Sequence, residues 1–148
     1  MTNYWLISAG KDGELWPTFW YKKVVAIGWS ALGDLRNYKD RDQLKRAIVK
    51  NYPGIKPGTL RNTTTQTWKF CNDIKPGEVI FVRSYGAIIG IGVVQGKYDF
   101  VPKSSPLRKK LYSEYFDDEF PNIRHVRWLS LWGGLKQPLT FTRLTLMQ

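Results

Sequence analysis

One cysteine, Cys71, and one histidine, His125, are all that this chain offers of either residue. A lone cysteine excludes an internal disulfide, and the pair falls short of the roughly three or four ligands a structural zinc needs. A nucleophilic hydrolase would have to take its base from His125, which stands in the charged run Arg124-His125-Val126-Arg127 and reads as a surface histidine. No Gly-x-Ser-x-Gly elbow is present, and Cys71 falls inside a predicted helix, where a core thiol is the expectation. Long apolar runs are missing too: none approaches the ~18 residues of a membrane span. The start Met1-Thr2-Asn3-Tyr4-Trp5 has neither the basic nor the apolar region of a secretion signal. The expectation is a soluble, cytoplasmic, single-domain chain that touches no membrane.

Acidic residues are also scarce. Twelve Asp and Glu stand against 23 Lys and Arg, a formal net charge of +11 in 148 residues. Such an excess favours polyanionic partners, either nucleic acid or an anionic membrane surface. The single acidic cluster, Asp117-Asp118-Glu119, reads as a solvated loop. Asp73-Ile74-Lys75 has the letters of a nuclease strand but runs into the turn residues Pro76-Gly77. Gly90-Ile91-Gly92 with Gly96 lies within an apolar strand and opens no helix, so it reads as room for strand curvature or close approach, not as a dinucleotide fingerprint. No phosphate-binding loop ending in Gly-Lys-Ser or Gly-Lys-Thr occurs, and Gly10-Lys11-Asp12 does not substitute for one. Catalytic residues, metals and cofactors are therefore not expected.

Tryptophan is abundant, with seven in the chain. Trp16 precedes Pro17, Trp29 precedes Ser-Ala-Leu-Gly-Asp, and Trp132 precedes Gly133-Gly134. Rings beside chain reversals suggest display at a pocket rim, and flat rings with cations are what a nucleobase and its phosphates require. Trp5, Trp68 and Trp128 fall on predicted strand or helix stripes and are assigned to the core.

Tyr4 to Ala9 and Val24 to Trp29 read as strands; Glu14 to Lys23, between them, carries Trp16, Phe19, Trp20 and Tyr21. Asp40 and Gln43 form a capping box for a helix that Pro53-Gly54 stops. A second helix is predicted from about Thr59 to Asn72. Pro76-Gly77 marks a type II turn. A hairpin follows, Glu78 to Arg83 and Ile88 to Gln95, around Ser84-Tyr85-Gly86-Ala87. Lys97 to Pro121 reads as irregular, with a helical stretch around Leu107 to Tyr115. Ile123 to Leu131, where Val126, Trp128 and nearby apolar residues alternate with Arg124 and Arg127, reads as a half-buried strand, and Leu139 to Met147 as helix or strand. About six strands with two or three helices, without β-α-β alternation, describe an α+β domain with a curved, barrel-like sheet.

The succession Ala26-Ile27-Gly28-Trp29, Leu32-Gly33-Asp34-Leu35, Ile74-Lys75-Pro76-Gly77-Glu78-Val79-Ile80, Ile89-Gly90-Ile91-Gly92-Val93-Val94 and Val126-Arg127-Trp128-Leu129 resembles the EVE/YTH-like branch of the PUA-like superfamily. The likeness is to the amino-terminal DNA-binding domains of McrB-type modification-dependent restriction proteins. It implies a small barrel that takes a flipped, methylated base, 6-methyladenine above all, into an aromatic cage, with 5-methylcytosine or modified RNA as alternatives; a further alternative is a binder of single-stranded nucleic acid without base preference. It also implies that the protein continues into an ATPase that recruits a nuclease, and that this domain is monomeric and non-catalytic. The resemblance assigns base contacts to Trp29, Ser84 and Tyr85, with Trp16 or Trp20 completing the cage. Asp34 stands where relatives have an Asn-rich stretch; it either accepts a hydrogen bond from an exocyclic amine or caps the following loop. Phosphate contacts fall to Arg83, Lys103, Arg108, Lys109 and Lys110.

Overall fold

In the computed structural model, residues 3–102, 120–129 and 145–147 are described. Seven strands, β1 (Tyr4–Ser8), β2 (Val24–Ile27), β3 (Val79–Ser84), β4 (Ala87–Val94), β5 (Asp99–Phe100), β6 (Asn122–Trp128) and β7 (Thr145–Met147), join in one mixed sheet. Its order is β2-β6-β4-β3-β1-β7, with β5 paired to β6. The contacts of β1 with β3 and β7 are parallel and the others antiparallel. The sheet curls into a half-barrel, and α1 (Trp16–Lys22), α2 (Arg41–Asn51) and α3 (Pro57–Asn72) complete the α+β domain.

Local chemistry explains most boundaries. Asp40 accepts the Gln43 amide at 2.8 Å, while the Gln43 side chain reaches back one residue further than a capping box requires, to the Lys39 amide at 2.7 Å. Helix α3 begins at Pro57, ahead of the expected Thr59, because proline is suited to a first helical turn. Its threonines are accommodated by burial and by back-bonding: Thr64 donates to the Leu60 carbonyl and Thr67 to that of Thr63. Gly77, at φ 89°, supplies the third position of the type II turn. Behind this turn the buried Glu78 carboxylate accepts from the Lys75 amide, the Asn3 amide and the Trp5 indole. One carboxylate thus ties the start of β1 to that of β3.

The structure assigns one open segment and corrects two expectations. The aromatic segment before β2 is a helix, α1, entered through Pro17 and closed by Lys23 in the left-handed region. Strand β2 ends at Ile27, so Gly28 and Trp29 leave the sheet. Arg124 is buried, not on a polar face, because β6 is enclosed between β2 and β4 and covered by the end of α3. Its guanidinium donates to the carbonyls of Ile74 at 2.6 Å, Gly96 at 3.0 Å and Phe70 at 3.5 Å, holding the carboxyl end of α3 where a cation is favoured. Burial lowers its pKa to about 10, so it stays charged near neutrality. The undecided carboxyl-terminal segment is a strand at Thr145–Met147; the helical stretch at Leu107 to Tyr115 lies outside the described residues.

The main core lies between the sheet and the helices. All four side chains of β2 are buried, and Ile7, Phe19, Leu44, Ile48, Phe70 and Ile123 pack with them. A smaller cluster, Leu6, Phe81 and Ile88, occupies the other face. Trp5 is a core residue as expected, with 4% of its surface exposed, and Trp68 is half-buried against the same core. Cys71 is half-buried on α3, and burial pushes its thiol up to about 11, far from a reactive thiolate.

Candidate functional site

Where β2 ends, the chain turns sharply. Trp29 takes φ 60° and ψ 43°, a left-handed conformation uncommon for a bulky residue and worth roughly 1–3 kcal/mol of strain. The surroundings over-determine it. The fully buried Asn122 donates its side-chain amide to the Gly28 carbonyl at 2.6 Å and accepts the Tyr98 hydroxyl; that hydroxyl in turn accepts the Leu35 amide at 3.2 Å. Beyond Trp29 a 3-10 turn, Ser30–Leu32, is held by the Tyr38 hydroxyl, which donates to the Leu32 carbonyl at 2.6 Å. The backbone on both sides of Trp29 is therefore anchored to strand β6 and to the segments that follow.

This arrangement opens a cavity of about 660 Å³, within the range of roughly 300–1,000 Å³ usual for ligand sites. Three aromatic side chains, Trp29, Tyr52 and Phe120, line it, with Lys11 and Arg83 as cations and Ser8 and Ser30 as hydroxyls. No carboxylate lines it among the described residues. Arg83 is aimed by its Nε, which donates to the Ser8 hydroxyl at 3.0 Å. Burial raises the Tyr52 phenol, an effect that the Ala31 amide opposes, so this ring stays neutral and apolar near neutrality.

Ser84 and Tyr85 stand beside this cavity. They border an adjoining recess of about 200 Å³ that shares Ser8, Gly10, Lys11 and Arg83 with it. The hairpin loop is Tyr85-Gly86, both at positive φ, which is the geometry of a type I′ turn and leaves Tyr85 82% exposed. The facing loop, Gly10 to Gly13, packs so tightly that a Cβ on Gly13 would lie 2.3 Å from the Ser84 hydroxyl oxygen. Within it the Lys11 and Asp12 amides donate to the Glu14 carboxylate at 3.0 and 2.7 Å. Burial raises the Glu14 carboxyl, but these amides and the Lys11 charge outweigh it and hold it below the ordinary value.

The structure divides the single cage expected from the sequence. Trp29, Ser84, Tyr85 and Arg83 come together around the two adjoining cavities. Trp16 and Trp20 do not line them; helix α1 carries both rings to Trp128, with centroids 5.0 Å from Trp16 and 6.4 Å from Trp20. Asp34 does not line them either. It accepts the Arg36 amide at 2.9 Å, capping a second 3-10 turn, and pairs with the Arg36 guanidinium at 2.7 Å, which holds its carboxyl below the usual range. Of its two readings, capping is the one realised. Trp128 is half-buried and packs against the core as expected, and it also lines a second cleft. Lys103, Arg108, Lys109, Lys110 and Trp132 lie outside the described residues.

Sequence reasoning missed Tyr52, Phe120, Lys11 and Ser8. Tyr52, the C-cap of α2 just before Pro53-Gly54, packs against the core and lines the cavity as well. Phe120 carried no signal, since it reaches the cavity through β6 pairing with β2 across the sheet. Among the described residues no group of His, Cys, Asp or Glu could hold a metal ion, and no helix is long and apolar enough to cross a membrane.

A family model described as Domain of unknown function (DUF8426) matches residues 5–144, and the chain belongs to that family. No curated protein matches it.

Proposed function

We propose that this DUF8426 domain is a non-catalytic reader of a methylated base, 6-methyladenine above all, in double-stranded DNA. The observation that carries the reading is the cavity at the end of β2, where three aromatic rings meet two cations and no carboxylate around a tryptophan held in a strained conformation. Strain of this kind collects at binding sites, where surrounding structure maintains it. The base enters by leaving its stack, stands against Trp29, Tyr52 and Phe120, and directs its phosphates to Lys11 and Arg83.

The energetics close. Extrusion costs a few kcal/mol, and each stacked aromatic returns about 1–3 kcal/mol, so two rings offset it. Burial of one methyl adds only about 0.8 kcal/mol, so selectivity rests on hydrogen bonds to the base edge, from Ser8, Ser30 or the backbone of Gly28 and Trp29, and on a cavity poorly filled without the methyl. Phosphate contacts by Lys11 and Arg83 make the affinity fall with salt. The domain works as a soluble monomer in the cytoplasm and targets a restriction system whose motor and nuclease lie elsewhere.

The test is a panel of duplexes at fixed salt, carrying 6-methyladenine, 5-methylcytosine or no modification, beside a modified RNA of the same sequence. The 6-methyladenine duplex binds several-fold tighter than the rest. A preference for 5-methylcytosine or for RNA moves the reading to that ligand, and equal binding throughout removes it.

A further inference from the structure

A second aromatic site lies at the opposite end of β2. Lys23 immediately precedes the strand and Trp29 is the second residue after it, so the two sites are separated by the four residues of β2, roughly 13 Å at about 3.3 Å per residue. At the Lys23 end, α1 and β6 present a cleft of about 670 Å³ lined by Trp20, Lys23, Gln95, Val126, Arg127 and Trp128.

Two tryptophans line it, Trp20 and Trp128, and Trp16 packs behind them. Trp16 and Trp128 are seated in the sheet by glycine: a Cβ on Gly90 would lie 2.3 Å from the Trp16 ring, and one on Gly92 would lie 2.9 Å from that of Trp128. The Trp128 indole N–H is bound as well, donating to the Phe19 carbonyl at 2.8 Å. Trp20 has no such seat. It lies over Trp128 with ring planes 27° apart and keeps 43% of its surface exposed. The glycines of β4 thus hold a tryptophan foundation on which one exposed ring is displayed. Val126 is buried beneath the cleft, while Lys23 and Arg127 are exposed at its margin, and no carboxylate lines it among the described residues.

The geometry points to a single-stranded nucleic acid as the occupant of this cleft, with an unpaired base stacked on Trp20 and its flanking phosphates on Lys23 and Arg127. Indole faces bind any base, since every base has a π-face, and cations beside them select an anionic backbone over an uncharged aromatic or proline-rich peptide. The contact is independent of methylation and of the Trp29 cavity. In a chain of net charge +11, it provides a hold on strand regions beyond the base being read.

Fluorescence anisotropy of a labelled short oligothymidylate at fixed salt tests this, with wild type, Trp20→Ala, Trp20→Phe and the double variant Lys23→Ala/Arg127→Ala. Trp20→Ala weakens binding at least about fivefold, the lower end of a base stack on an aromatic ring. Trp20→Phe keeps most of the affinity because a ring remains, which separates stacking from fold damage. The double charge variant weakens binding and flattens its salt dependence. An abasic oligomer binds wild type no better than oligothymidylate binds Trp20→Ala. The proposal is overturned by equal affinity of Trp20→Ala and wild type, by equal affinity of abasic and base-bearing strands, or by a proline-rich peptide that displaces the strand without dependence on Lys23 and Arg127. The outcomes are separable from those at the first site. Methyl preference lost from wild-type duplex binding, with Trp20→Ala still weakening the single strand, removes only the Trp29 reading; the reverse pattern removes only this one.

Discussion

Asn122→Ala examines the anchor behind Trp29. Asn122 is fully buried and forms two side-chain hydrogen bonds, one to the Gly28 carbonyl and one from the Tyr98 hydroxyl. Truncation removes both: the buried Tyr98 O–H loses its acceptor, although its oxygen keeps the bond from the Leu35 amide, and the Gly28 carbonyl, half-buried at the cavity, is left to water. Two lost hydrogen bonds at about 0.5–1.5 kcal/mol each, with one stranded buried group at about 1–3 kcal/mol, give roughly 2–6 kcal/mol in total. For a chain of this size that lowers Tm by roughly 4–24 °C, read by circular dichroism. Asn122→Asp sharpens the experiment. Its carboxylate cannot donate to Gly28, whereas the protonated acid can, and burial raises the acid's folded pKa above the unfolded value of about 3.9. The sign follows: stability is greatest below the unfolded pKa and is lost as pH rises through the folded one. This variant is therefore weaker at neutral than at mildly acidic pH, relative to wild type. A Tm for Asn122→Ala within a degree or two of wild type refutes the anchor, as does an Asn122→Asp deficit independent of pH.

Two further outcomes follow from the site and the core. Trp29→Gly is more stable than Trp29→Ala by about 1 kcal/mol in urea unfolding, because glycine adopts φ 60° without the Cβ penalty that alanine retains; the reverse order contradicts the strain assigned to Trp29. Cys71, raised by burial from 9.0 to about 11, contributes stability that is whole below about pH 9 and declines as pH rises through 11. Cys71→Ala accordingly shows a shallower alkaline loss of stability than wild type, and equal slopes contradict the burial of the thiol.

Elements dictated by neighbours in the chain were legible in the sequence. Asp40 and Gln43 marked a helix start, Pro76-Gly77 a turn, and Ser84 to Ala87 a hairpin, because each depends on groups within a few residues. Trp29, named through the resemblance, and Arg83, named as a phosphate contact, each lie at or just beyond a strand end and line the same cavity. Placement across the sheet was not legible. Asn122 reaches Gly28 over 94 positions, and nothing near either residue announces the pairing. Trp16 and Trp20 preceded β2 closely enough to suggest the same pocket, but the helix between Trp16 and Lys22 carries both rings to the far end of that strand. Arg124 misled through alternation, a pattern that holds only where one face of a strand meets solvent. Gly90 and Gly92 did signal close approach, and the approaching groups are the indoles of Trp16 and Trp128.

The central claim is that the cavity around Trp29 distinguishes a methylated base from an unmethylated one. Its most direct test is the ratio of affinities for two duplexes identical but for one 6-methyladenine, measured at one salt concentration for wild type and for Trp29→Ala. Wild type shows a several-fold preference that collapses to unity in the variant; equal affinities in wild type, or a preference that survives removal of the indole, rule this role of the cavity out.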